Sequence, residues 1–207
     1  MKVLFVEARK KFKDVKIEGR LPKKLHIIYT IQYKNLAEKI RDKIKDETDV
    51  VEFQQVLGCS KIKPKAPILF IGSGKFHLIN ILKRSGGLKK KIFTFKEGEI
   101  KELKSIKEEV KKIEKLERGK LLKFYSSEKI GLLVSIKRGQ INKKAVEIKN
   151  KLEKKFRDKK FYLFFSDNIN LNELENFDID IFINLACPGI EFDSEKIINY
   201  DRILKND

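Results

Sequence analysis

Leu25-His-Ile-Ile-Tyr-Thr-Ile31 and Ile130-Gly-Leu-Leu-Val-Ser-Ile136 are the stretches that decide the fold. Each is a nearly unbroken apolar run, and each leads through a short polar loop into a Lys-rich amphipathic segment. Continuous apolar strands alternating with helices belong to parallel sheets covered on both faces. The two runs align with one another, so the chain reads as a weak internal repeat of two βα units. The expected fold class is α/β: two similar domains, each a small parallel sheet flanked by helices.

Working outward from the first run, residues 35–45 carry helical spacing at Leu36, Ile40 and Ile44. A short strand over 50–53 leads to Cys59. A third strand over 67–71 ends in Gly72-Ser73-Gly74. A helix over 76–83 and a strand over 91–95 follow, then a long charged helix over 100–122 with Leu103, Ile106, Val110, Ile113 and Leu116 on one face. Around the second run, a helix over 144–156, a strand over 161–165, a short helix over 171–177 and a strand over 179–185 lead to Cys187. The first α/β domain is expected over 21–122 and the second over 123–207. Residues 1–20, ending near Gly19 and Pro22, read as a strand (1–7) and a basic connector, the remnant of a domain upstream.

Lys plus Arg outnumber Asp plus Glu by 48 to 30 in 207 residues, a formal charge of +18. Such a charge attracts RNA or the acidic face of a protein. The same lysines interleave with glutamates over 101–120, the pattern of a solvated helix face, and no compact basic-aromatic motif accompanies them. No apolar run approaches the ~20 residues of a membrane span. The start lacks the length and small-residue cleavage site of a signal peptide. Two distant cysteines do not make a secreted disulfide framework. The expected location is the cytoplasm, where thiols stay reduced.

Cys59 and Cys187 have no local metal-ligand spacing, and composition alone reads them as buried thiols. Their position beyond the ends of strands, where open α/β sheets build their sites, reads them as ligands. Phe70-Ile-Gly-Ser-Gly-Lys-Phe-His77 offers Gly72 and Gly74 for a tight strand-to-helix turn and a helix N-terminus for an anion. His77 occupies the place of the third glycine of a dinucleotide fingerprint, so the nucleotide motif is weak. His77 reads as a ligand contact at that mouth or as a helix cap. His26, inside an apolar strand, reads as a hydrogen-bonded core residue. Ser135, Gly139 and Gln140 end the first strand of the second unit, as Thr30 to Tyr33 end that of the first. These polar groups bind a cofactor or form turns and caps. There is no Ser/His/Asp triad and no Walker phosphate loop.

Together these phrases resemble the diphthamide synthase family, the 2-(3-amino-3-carboxypropyl)histidine synthases. The matching residues are Leu21-Pro-Lys-Lys, Thr30-Ile-Gln-Tyr, Gln55-Val-Leu-Gly-Cys, Phe70-Ile-Gly-Ser-Gly-Lys-Phe-His, Ser135 with Gly139-Gln140, and Ala186-Cys-Pro. The resemblance implies an architecture of three related α/β domains, each contributing one cysteine to a [4Fe-4S] cluster, here Cys59 and Cys187. It implies S-adenosylmethionine as cofactor, with Gly72, Ser73, Gly74, His77, Ser135, Gly139 and Gln140 as cofactor-binding residues. The implied reaction transfers a 3-amino-3-carboxypropyl group to a histidine of translation elongation factor 2. Family members work as homodimers or heterodimers.

The chain resembles the second and third domains plus a tail of the first, and Gly189 stands where the family usually has Arg. The expectation is a partial subunit, its cluster completed by a full-length relative or a separate first-domain protein. The alternatives are a non-catalytic paralogue that stabilises a full-length synthase or engages elongation factor 2, and an RNA-associated protein using the basic charge.

Overall fold

The strand β1 (Lys24–Tyr29) is apolar on both faces because it is central: Leu25, Ile27 and Ile28 are all fully buried. It pairs in parallel with β2 (Asp49–Gln55) on one side and β3 (Ile68–Ile71) on the other. The strands β4 (Ile92–Lys96) and β5 (Glu99–Glu102) extend the sheet to the order β2-β1-β3-β4-β5. The helix α1 (Lys34–Ile44) turns Leu36, Ala37, Ile40 and Ile44 onto Leu25, Ile27, Leu69 and Ile71. The helix α2 (Lys75–Ser85) buries Leu78, Ile79, Ile81 and Leu82. Full burial of one such side chain contributes about 1.5–3 kcal/mol. The computed structural model describes residues 4, 6–12, 17, 21–85, 89–96, 99–138, 140–192 and 194–204. By its packing the chain divides into two units, Met1–Val110 and Lys111–Asp207, within the helix α3 (Ile106–Ser126).

The second unit repeats the plan with a fully parallel sheet, β7-β6-β8-β9. Its central strand β6 (Lys129–Ser135) is buried from Ile130 onward and lies between β7 (Lys160–Ser166) and β8 (Ile181–Asn184). The helix α4 (Ala145–Lys155) packs Ala145, Ile148 and Leu152, at three- and four-residue spacing, onto the same core as Phe124 of α3. A short helix α5 (Leu171–Leu174), a 3-10 turn (Pro188–Phe192), the strand β9 (Ile197–Asn199) and the helix α6 (Tyr200–Leu204) complete it. Buried Lys159 donates from Nζ to the carbonyls of Tyr125 at 2.8 Å and Ser127 at 2.6 Å, so a cation closes the C-terminal end of α3. Asp180 accepts the backbone N–H groups of Glu128 and Lys129 at 3.0 and 2.8 Å, and pins the start of β6. Those bonds hold its carboxyl below the usual carboxylate range.

The α/β fold with two like units agrees with the sequence reading, and three elements depart from it. The expected strand over 1–7 is not formed at its described residues: Leu4 and Val6 are 86% and 81% exposed and lie outside any strand, since no described strand pairs with them. Met1 to Val3 and Phe5 fall outside the described residues. The long helix expected from Ile100 starts at Ile106, because residues 99–102 form an antiparallel hairpin with β4 that buries Ile100 opposite Phe95. The first sheet is therefore not wholly parallel. The strand β9 was not expected, being only Ile197-Ile198-Asn199.

Gly131 shows how tightly the second sheet is closed. A Cβ placed there would lie 2.3 Å from Cδ1 of Phe182 on β8 and 3.1 Å from Cε2 of Phe164 on β7. The two rings meet edge to face, 5.4 Å apart, over the missing side chain. The substitution Gly131→Ala is expected to cost about 1–3 kcal/mol through forced ring displacement, read as a lower urea midpoint at unchanged slope. Ile27→Ala, at a fully buried site in the first unit, is expected to cost about 2–5 kcal/mol.

Candidate functional site

In parallel sheets every strand-to-helix loop leaves at the same edge, the carboxyl edge. In the first unit three loops that carry chemistry gather there. The loop after β2 makes a tight turn: Leu57 N–H donates to Ser60 Oγ at 2.8 Å and Ser60 N–H donates to Leu57 O at 2.9 Å. Cys59 stands at this turn, exposed. Gly58 beside it is buried against the first turn of α2; a Cβ there would lie 2.7 Å from Cε1 of Phe76 and 3.6 Å from Cδ2 of His77. The cysteine turn and the Gly-Ser-Gly-Lys-Phe-His segment are thus in contact. Gly74 has φ +76°, the left-handed region that glycine enters without strain, which starts α2 from the sharp turn after β3.

Tyr33 ties a third motif to the same edge. Its phenol is hydrogen-bonded to Ser73 and accepts from Lys10 Nζ at 3.2 Å, while Lys10 N–H donates to Gln32 O at 2.8 Å. Burial pushes the Tyr33 phenol up, but the bonds to Lys10 and Ser73 outweigh it and leave it below its ordinary value. Thr30, one residue past β1, is buried with its hydroxyl unpartnered. His77 is half-buried, and desolvation holds its imidazole below the ordinary value, favouring the neutral ring. His26 lies away from this edge, level with Ile68 in mid-strand. It is fully buried, its Nε2 lies 2.7 Å from Nε2 of Gln54, and its Nδ1 has no partner.

In the second unit the loop after β8 carries Cys187, half-buried. Asn184, the last residue of β8, accepts Ala186 N–H at 2.9 Å and donates to Cys187 O at 2.8 Å and to Asn199 Oδ1 at 2.7 Å. Asn199, the last residue of β9, donates from Nδ2 to Pro188 O at 3.1 Å and to Glu191 Oε2 at 2.6 Å, and its N–H donates to Glu191 Oε1 at 2.9 Å. Lys120 of α3 donates to the Glu191 carbonyl. Burial pushes the Glu191 carboxyl up, against the bonds from Asn199. Ser135, at the carboxyl end of the neighbouring strand β6, is buried and accepts Lys137 N–H at 3.2 Å. Gln140 is exposed, its N–H donating to Lys137 O at 3.0 Å. Gly139 lies outside the described residues.

The sequence-predicted residues therefore fall into two sets, each on the carboxyl edge of its own sheet. Cys59, Gly72, Ser73, Gly74 and His77 occupy one; Cys187 and Ser135 occupy the other. The buried-thiol reading is set aside for Cys59, which is exposed. Sequence reasoning missed Asn184, Asn199 and Glu191. The signal was present, since an Asn ending an apolar strand must find partners for its carboxamide. No group of three or more His, Cys, Asp or Glu side chains is placed to hold a metal ion among the described residues. Among the described residues no helix is long and apolar enough to cross a membrane.

Because Glu191 is shifted upward, its contribution to stability is fully present below the usual carboxylate range and is lost as pH rises through its raised folded value. Melts between about pH 4 and 8 should show this loss in the parent chain and not in Glu191→Gln.

The diphthamide synthesis protein family matches residues 1–203. A curated 2-(3-amino-3-carboxypropyl)histidine synthase from Pyrococcus horikoshii is 30% identical over 144 residues, 67% of this chain and 40% of that protein. Among solved structures, the crystal structure of Dph2 from Pyrococcus horikoshii superposes with a TM-score of 0.70 at 22% identity, over 86% of this chain and 56% of that one. The crystal structure of the same protein with a 4Fe-4S cluster superposes with a TM-score of 0.68 at 22% identity, over 86% and 55%. The chain spans little more than half the length of the relatives it matches, or less.

Proposed function

The chain belongs to the diphthamide synthesis protein family, and from that we propose that it supplies two thiolates to a [4Fe-4S] cluster of a 2-(3-amino-3-carboxypropyl)histidine synthase. The acceptor in this reading is a histidine of elongation factor 2, the donor S-adenosylmethionine, and the location the cytoplasm. The observation that carries it is the placement of Cys59, exposed, and Cys187, half-buried, each beyond the carboxyl end of a strand paired in parallel and each on a braced loop. The cluster bound to the family's Dph2 supports the iron–sulfur part.

Cys59 and Cys187 fit the group as thiolate ligands, and two are fewer than a cubane takes from its protein. The remaining ligand comes, in this reading, from outside residues 1–207: from a full-length relative or a separate first-domain protein. When bound, the cluster supplies the electron that cleaves S-adenosylmethionine. The residues of this chain bind and orient. The first turn of α2, with Ser73 before it and half-buried His77 on it, offers hydrogen-bond donors to a carboxylate such as that of the methionyl moiety. Ser135 lies buried near the other thiol's edge of the sheet and keeps a hydroxyl proton to donate.

The two-cysteine complement also favours a second reading, a non-catalytic paralogue that stabilises a full-length synthase. Oxygen-free reconstitution with iron and sulfide separates the two. The chain mixed with a family relative should carry more iron than the relative alone, and Cys59→Ser or Cys187→Ser should remove that increment. Iron content and elongation-factor modification that ignore both substitutions would leave the stabilising role.

A further inference from the structure

We propose that Asn184, Asn199 and Glu191 form a positioning network that sets the direction and exposure of the Cys187 thiol. The proposal rests on the reading of Cys187 as a ligand, and names the residues that hold it ready before any metal arrives.

The argument starts from the backbone around the cysteine. Ala186 N–H, Cys187 C=O and Pro188 C=O each bind a side chain from the end of a buried strand: the first two bind Asn184 and the third binds Asn199. These groups flank Cys187 on both sides, so the loop cannot rotate without breaking a bond to β8 or β9. The two carboxamides are fully committed. Asn184 uses its oxygen and both N–H groups; Asn199 uses its oxygen, accepting from Asn184, and both N–H groups. Only one orientation of each carboxamide satisfies every partner, which fixes their flips.

Glu191 ends the chain of bonds. Its two oxygens accept from the Asn199 side chain and backbone, and its carbonyl accepts from Lys120. Asn184, Asn199 and Glu191 are 4%, 4% and 2% exposed, so water cannot replace a lost partner. A fully satisfied buried network of this kind selects one loop geometry. β8 and β9 are apolar up to these residues, and the side chains that end them bond the backbone on either side of Cys187.

The test reads the thiol of the metal-free chain. In a Cys59→Ser background, alkylation by iodoacetamide reports Cys187 alone. Asn199→Ala strips partners from Pro188, Glu191 and Asn184, and the alkylation rate should change about tenfold at a temperature well below the melt. Leu152→Ala serves as the control, since it opens the core of the same unit from α4, which packs on β7, and should leave the rate near that of the parent. If Asn199→Ala does not fold, Asn199→Asp carries the test. It sets two carboxylates face to face, and the double variant Asn199→Asp with Glu191→Gln restores a donor between them and should return the rate toward the parent. An unchanged rate in folded Asn199→Ala, or a rate equal in the single and double Asp variants, overturns the proposal. Iron uptake is measured separately on the parent chain with its relative. A failure there removes the ligand reading while leaving the loop result to stand.

Discussion

The burial of β1 and β6 on both faces is the constraint from which the rest of the molecule follows. A strand covered above and below must lie between parallel neighbours, and its chain must cross over through a helix to reach the next one. That requirement delivers the loops after β1, β2 and β3 to one edge of the first sheet, and those after β6 and β8 to one edge of the second. The apolar runs that make the core also aim the polar residues behind them. Cys187 follows β8, which is buried throughout, and Cys59 follows β2, a half-buried strand at the edge of its sheet.

Each unit then braces its cysteine by a different means. In the first, the brace is contact: Gly58 presses against Phe76 and His77, and a compact turn through Ser60 holds the exposed thiol. In the second it is a buried polar network anchored in the ends of two strands. A steric brace tolerates polar change nearby but no added volume. A hydrogen-bonded brace tolerates little change of any kind, because each deleted partner strands another inside the core.

The long apolar runs were legible in the sequence because a strand buried on both faces leaves an unbroken signature. Leu25–Tyr29, Ile130–Ser135 and the strand before Cys187 are readable on that ground, whereas β2 before Cys59 is a half-buried edge strand with Glu52 in its middle. Residues 99–102 were not: Glu99, Lys101 and Glu102 resemble the charged face of the following helix, and only pairing with β4 selects the hairpin. Leu4 and Val6 departed in the opposite sense, since an apolar residue joins a strand only where another strand accepts it. The candidate site was half legible. Motif residues announced the loops, whereas Asn184, Asn199 and Glu191 are ordinary polar residues whose importance comes from meeting in space. No periodicity records that meeting.

The ring-covered gap at Gly131 links three positions on three adjacent strands. In a set of relatives, residues 131, 164 and 182 should covary as one volume: a methyl gained at the first requires a smaller side chain at the second or third. Descent along this lineage is therefore coupled at these sites, and a comparison of many such chains should show the compensation as paired replacements rather than independent drift.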